Sequence, residues 1–216
     1  MQKTPPFPAV FEYWELARKE VINSWRFVRA LAREYWSQLI IMLGFKRTVK
    51  LEYYGLDAPG KHLHLLLVSL LKKYFREKKP DELLGLTYQY SVRNLLDVGA
   101  MLLSFGLRTT YHDPHPDDVT YLNALIRKGL RFRNKAANRI DMEASLQNGN
   151  PIVCLVNELG EKNTIVQSVV LVYGFDKLYF YYHDYLHGRQ GLRATKDQFM
   201  HAWSAAGYKG VFLERE

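Results

Sequence analysis

The clearest hydrophobic pattern lies in the last third of the chain, where "NPIVCLVN", "SVVLVYGFD" and "LYFYYHDY" follow one another with turn residues between them. Short apolar runs rich in β-branched and aromatic residues, bounded by Gly, Asn and Asp, read as strands. Their closeness predicts three adjacent antiparallel strands. Asp184 falls at the end of the third, where a strand opens toward a surface.

Upstream the period changes from two to between three and four. Trp14, Val21, Trp25, Val28, Ala32, Tyr35, Leu39 and Met42 recur at spacings of three, four and seven, which places them on one face of a long helix beginning near Val10. Pro5, Pro6 and Pro8 precede it in an extended opening, and Gly44 followed by Lys46 and Arg47 is an acceptable stop. Lys61 to Lys79 predicts an amphipathic helix with a basic end, stopped by Pro80. Ser91 to Phe105 predicts another, capped by Ser91 and ended by Gly106. "LRTTYH" reads as a short strand, and "DPHPDD" as a turn that opens a helix from Val119.

Helices first and strands later predict an α+β fold with helices packed on one side of an antiparallel sheet. The expected organisation is a Pro-rich segment and amphipathic helix over residues 1–47, and an α+β domain over 48–216. The helix either packs within its own chain or forms a homodimer, or it docks a partner helix or a membrane surface with Arg18, Lys19, Arg26, Arg29 and Arg33 outward. Packing within the chain or a homodimer is favoured, because so large an exposed stripe promotes aggregation.

Composition adds bounds. With 216 residues, 48% of them hydrophobic, the chain is long enough to bury a substantial core, and 24% charged residues suit a water-facing surface. One cysteine excludes an intrachain disulfide and suits a reducing compartment. No apolar run reaches the length of a membrane span and "MQKTPPFPAV" lacks the pattern of a secretory signal, so the expectation is a cytoplasmic protein without a membrane span.

The formal charge of +8 is concentrated between Arg127 and Arg139, where Lys128, Arg131, Arg133 and Lys135 occur without an acid among them. Such a patch suits an anionic partner. With Phe132 alone as a stacking platform and no known recognition motif, it reads as a solvated basic face in preference to a nucleic-acid module. His112, Asp113, His115, Asp117 and Asp118 crowd one loop, and His183, Asp184 and His187 another. Neither has a specific ligand spacing, so no metal and no other cofactor is expected.

The order of the pieces "LQNGNPIVCLVN", "QSVVLVYGFD", "YFYYHDY" and "KDQFMHAWSAAG" resembles the C-terminal half of papain-like cysteine peptidases of the bacteriocin leader peptidase family. There a strand of the form "L..G.P.IV.V" precedes "GHFVVV.GYD", "V.V.DP" and a helix with "F..AW". Upstream, "LLDVGAMLLSFGLRTTY" resembles the family's helix and strand, so the resemblance covers about Thr48 to Glu216. It implies a papain-like fold.

Catalysis in that family needs a Cys at a helix start, a His at the start of the second strand, and an Asp or Asn at the end of the third. Carried over by position, the resemblance puts His62 at the nucleophile, Ser168 at the base and Asp184 at the acid, and only Asp184 matches. Cys154, the one thiol, sits inside an apolar strand, where burial makes it inert. The implied role is a catalytically inactive peptidase-like domain that binds a peptide or partner protein, with Tyr182, Tyr185, Arg189 and Arg193 as groove contributors. One alternative is a hydrolase or acyltransferase with a rearranged His62/Ser168/Asp184 site. The other is a nucleic-acid-binding module using residues 127–139.

Overall fold

The computed structural model of the chain describes residues 18–29, 31–32, 35–36, 39, 43, 45–54, 61–159 and 165–214. Two units divide it, Met1–Phe45 and Lys46–Glu216. In the first, residues 18–29 are helical (α1), as are 31–32, 35–36 and 39, in line with the three-four-seven spacing. Trp14, Gly44 and the Pro-rich opening lie outside the described residues. In the second, the elements are β1 (Arg47–Thr48), α2 (His62–Tyr74), α3 (Pro80–Thr87), α4 (Leu95–Ser104), β2 (Thr109–His112), α5 (Val119–Arg127), β3 (Arg131–Arg133) and α6 (Arg139–Gln147). Then follow β4 (Ile152–Leu159), β5 (Ile165–Phe175), β6 (Tyr179–Asp184), β7 (Arg189–Thr195), α7 (Lys196–Ala205) and β8 (Gly210–Leu213).

The three apolar runs are β4, β5 and β6, paired antiparallel in that order. They lie in one sheet of order β3-β2-β8-β4-β5-β6-β7, with β1 paired to β5 off that path. The sheet is mixed and not purely antiparallel, because β2 and β3 run parallel. The chain returns from β2 through α5 before entering β3, and such a crossover delivers a parallel strand.

Helices cover both faces of the sheet, a correction to the one-sided packing read from the sequence. Val211 and Phe212 are neighbours on β8 and therefore point to opposite faces. Val211 lies against Gly99 of α4, while the Phe212 ring meets Trp203 of α7 at a centroid distance of 6.4 Å. On the first face Val153, Leu171 and Val211 join the leucines of α2 and α4 in one buried cluster. On the second, Phe180 and Tyr182 of β6 contact Phe199 of α7, and the fully buried Trp203 donates its indole N–H to the Lys209 carbonyl at 2.9 Å.

Three local expectations are corrected. The helix expected over Lys61 to Lys79 ends at Tyr74, and Pro80 starts α3 instead of stopping α2. Proline suits a first helical turn, where no N–H is needed. Nor is α2 amphipathic: Leu63 and every residue from Leu65 to Leu71 are buried, as befits a helix enclosed by its neighbours. The cap of α4 is Asn94, not Ser91, its side chain accepting from the Asp97 N–H at 2.9 Å.

Gly174 fixes the seating of β1 on β5. A Cβ there would lie 2.6 Å from the Arg47 carbonyl oxygen and 3.0 Å from the Thr48 Cα, both backbone atoms. We expect Gly174→Ala to displace β1 and cost about 1–3 kcal/mol, as overpacking does. A lowered urea midpoint at unchanged slope checks this. An unchanged midpoint would mean that β1 does not pack here.

Candidate functional site

Strand register brings two of the three expected positions together. Asp184, the last residue of β6, pairs with Val170, and Ser168 precedes Val170 by one side-chain repeat on β5. Both side chains are buried, and the Ser168 hydroxyl donates to Asp184 Oδ1 at 2.7 Å. Position 168, where the pattern that the sequence resembles has an imidazole, carries a hydroxyl.

The second carboxylate oxygen is filled from the β6–β7 turn. His187 Nδ1 lies 2.7 Å from Asp184 Oδ2, and Arg189 donates to the same oxygen at 2.7 Å. The His187 backbone N–H also reaches Oδ1 at 3.2 Å. Because an ionised carboxylate only accepts, His187 carries a proton on Nδ1. Burial pushes the Asp184 carboxyl upward, but the hydrogen bonds from Ser168, Arg189 and His187 outweigh it and hold the group below its ordinary value. Asp184 is therefore an anion at neutral pH and a weak proton acceptor.

His62 begins α2, after an N-cap residue, Lys61, that supplies no side-chain hydrogen bond. Burial lowers its pKa, opposed by the Asp184 charge, so the imidazole lies within the field of that carboxylate. Even so, among the described residues no hydrogen bond joins His62 to Ser168 or Asp184. Alternation along β5 sets Ser168 with Val170 and Val172, opposite Leu171, and Leu171 faces the α2 cluster. Ser168 and α2 thus lie on different faces of the sheet.

Cys154 is fully buried at the centre of β4, between Val170 and Gly210, and burial drives its thiol pKa far up. A thiol in that state is not a nucleophile.

The four expected groove residues separate. Tyr182 packs edge-on against Phe199 of α7, with centroids 5.8 Å apart. Tyr185 is buried toward α2, its hydroxyl donating to Ser69 Oγ at 2.5 Å. They do not form a shared exposed face. Arg189 and Arg193 lie on a strand, β7. Arg189 is engaged with Asp184, while the exposed Arg193 guanidinium sits 4.9 Å from the Tyr179 ring.

The basic run 127–139 is divided among three elements. Arg127 ends α5, Arg131 and Arg133 belong to β3, and Arg139 opens α6. Arg131 is paired with Glu214, distant in sequence, and Arg139 with Glu143 one helical turn on, so acids outside the run partly neutralise it.

Two participants escaped the sequence reading. His187 enters the sequence reading only as a metal-binding residue type beside His183 and Asp184, although an Asp with a His three residues later in a turn before Gly188 is the available signal. His183 is buried, with its ring stacked on Tyr173 at 4.4 Å and tilted against Tyr53 at 5.1 Å. Its Nδ1 accepts the Gly191 N–H at 3.1 Å, and burial, assisted by the Lys46 charge, lowers its pKa to about 4.

No protein-family model matches this chain. No curated protein matches it. A crystal structure from Bacillus anthracis, assigned as a C39-like peptidase, is similar at 20% sequence identity, with a TM-score of 0.30. The alignment covers 36% of this chain and 47% of that one, so the chain spans about half the length of the structure it matches.

Proposed function

We propose that residues 46–216 form a papain-like domain that holds an extended peptide, or a segment of a partner protein, without cleaving it. The observation that carries this reading is the Ser168–Asp184 hydrogen bond: the acid is kept, and its strand partner is a buried hydroxyl in place of a base. At the nucleophile position stands an imidazole on the other side of the sheet, and the one thiol is sealed in the core. Acyl transfer needs a nucleophile beside its base, and the two positions expected for that pair, His62 and Ser168, do not form one.

A binding role is supported by β7. Among the described strands it pairs with β6 alone, which leaves its second edge to accept another strand, and Arg193 is exposed on it. The test is incubation with a mixed library of extended peptides, followed by mass spectrometry of the bound and free fractions. Intact peptides enriched with the protein, and less so with Arg193→Glu, are expected. New peptide termini accumulating with time would contradict the proposal.

A hydrolase is the second reading, favoured by one observation. His187 is exposed and oriented through Nδ1 by Asp184, the arrangement an imidazole base requires. That reading needs a nucleophile next to His187, which thiol chemistry does not supply. Native Cys154 is expected to resist iodoacetamide at pH 8 and to react only after denaturation, which mass spectrometry of the intact chain checks. Rapid labelling of the folded protein would show that the thiol is accessible after all.

A further inference from the structure

α1 carries an apolar stripe with a lopsided charge. At 100° per residue, Val21, Trp25, Val28, Ala32, Trp36 and Leu39 share one arc of the helix, and this arc is wide enough to form a continuous face. The side chains on it are large and exposed: Trp25 at 66% and Trp36 at 65%, with Val21, Val28 and Leu39 exposed as well. Residues 18–29 hold four cations, Arg18, Lys19, Arg26 and Arg29, against one acid, Glu20. Arg18 and Arg29 project along one border of the arc, whereas Lys19, Arg26 and Glu20 all point well away from it.

We propose that α1 is an interfacial helix that lies in the headgroup region of an anionic membrane. Tryptophans suit that depth, because the ring is apolar while its N–H remains near water. Arg and Lys beside such a stripe bury their stems along the apolar zone and raise their charges to lipid phosphates. The charge also decides between occupants. A second copy of α1 packed antiparallel on the stripe brings Arg18 of one copy to Arg29 of the other, cation against cation, and Glu20 points away from the seam. An anionic surface meets Arg18 and Arg29, the two cations that border the stripe, favourably. Among the described residues no helix is long and apolar enough to cross a membrane, so the geometry is that of lying on the surface.

The chain carries its own reporter. Of its four tryptophans, Trp203 is fully buried in the sheet core, so a change in emission on adding lipid reports on Trp14, Trp25 and Trp36. The full-length protein is titrated with vesicles of phosphatidylglycerol and phosphatidylcholine in equal parts, and with pure phosphatidylcholine vesicles, following emission and co-sedimentation. We expect a blue shift and binding with the anionic vesicles only, and release when salt rises from about 0.1 M to about 0.5 M. Arg18→Glu with Arg29→Glu should weaken binding by at least tenfold, on the scale of about fivefold per cation at such a surface. Trp25→Glu should abolish the blue shift while the thermal unfolding of the 46–216 unit stays unchanged.

Equal binding to neutral vesicles, insensitive to the Arg18 and Arg29 changes, would overturn the proposal. So would no vesicle binding together with a dimer in sedimentation velocity that Trp25→Glu dissociates, which would assign the stripe to a second copy. A monomer that ignores both kinds of vesicle would overturn it as well.

Discussion

Lowering the pH from 7 to 4.5 should destabilise the 46–216 unit by roughly 4–6 kcal/mol, most of it through two buried histidines. His112 and His183 both have pKa values lowered from 6.5 to about 4, in each case first by burial, and then by Arg133 for His112 and by Lys46 for His183. The sign follows from linkage. Between pH 6.5 and 4 the unfolded chain binds protons at these positions and the folded chain does not, so stability is full above 6.5 and falls with pH across that window. Each site contributes about 2–3 kcal/mol, and His62 and His64, also lowered, add in the same direction.

Urea unfolding at half-unit pH steps measures this loss. His183→Phe retains an aromatic ring between Tyr173 and Tyr53 and removes one titration, so about half of the slope should disappear. A flat profile down to pH 4.5 would mean that these rings are solvated.

Removing the Asp184 carboxylate is expected to cost about 3–4 kcal/mol at pH 7 in the Asp184→Ala variant. The carboxylate is fully buried and accepts from Ser168, His187 and Arg189; truncation leaves the Ser168 hydroxyl buried without its acceptor and the turn between β6 and β7 without its anchor. His187 and Arg189 recover hydration, being partly exposed, which keeps the cost below that of a fully buried ion pair. Asp184→Asn preserves shape and should cost less. Because the Asp184 pKa lies below its ordinary 3.8, its contribution is present above that value and is lost as pH falls through the folded pKa, in a lower window than the histidines. Faster amide exchange in residues 184–191 should accompany the loss. A variant as stable as the parent would mean that the acid holds nothing together.

The strands that carry Asp184 and Ser168 were legible because β4, β5 and β6 are buried and nearly continuously apolar. β7 was not, since "RQGLRAT" lies exposed at an edge, has no core to record and reads as loop. α2 was found as a helix but misjudged in environment: Lys72 and Lys73 in its last turn suggest a solvated face, whereas Lys72 folds back to the Arg76 and Lys78 carbonyls and the rest of the helix is enclosed. The pairing of Asp184 with Ser168 followed from position along the family pattern. His187 did not, because its contact depends on the turn geometry before Gly188, where φ is +63°. That His62 and Ser168 lie on different faces depends on which side of the sheet α2 packs, a property of tertiary assembly that no local spacing records.

The central proposal is that Asp184 stands in a site without a working pair of nucleophile and base. Its most direct test is covalent labelling of the folded protein with a fluorophosphonate and with iodoacetamide, mapped residue by residue by mass spectrometry. The account expects neither reagent to modify Ser168 or Cys154 until the chain is unfolded. Fluorophosphonate labelling at Ser168 that disappears in either His62→Ala or His187→Ala would contradict it and make this a serine-dependent enzyme.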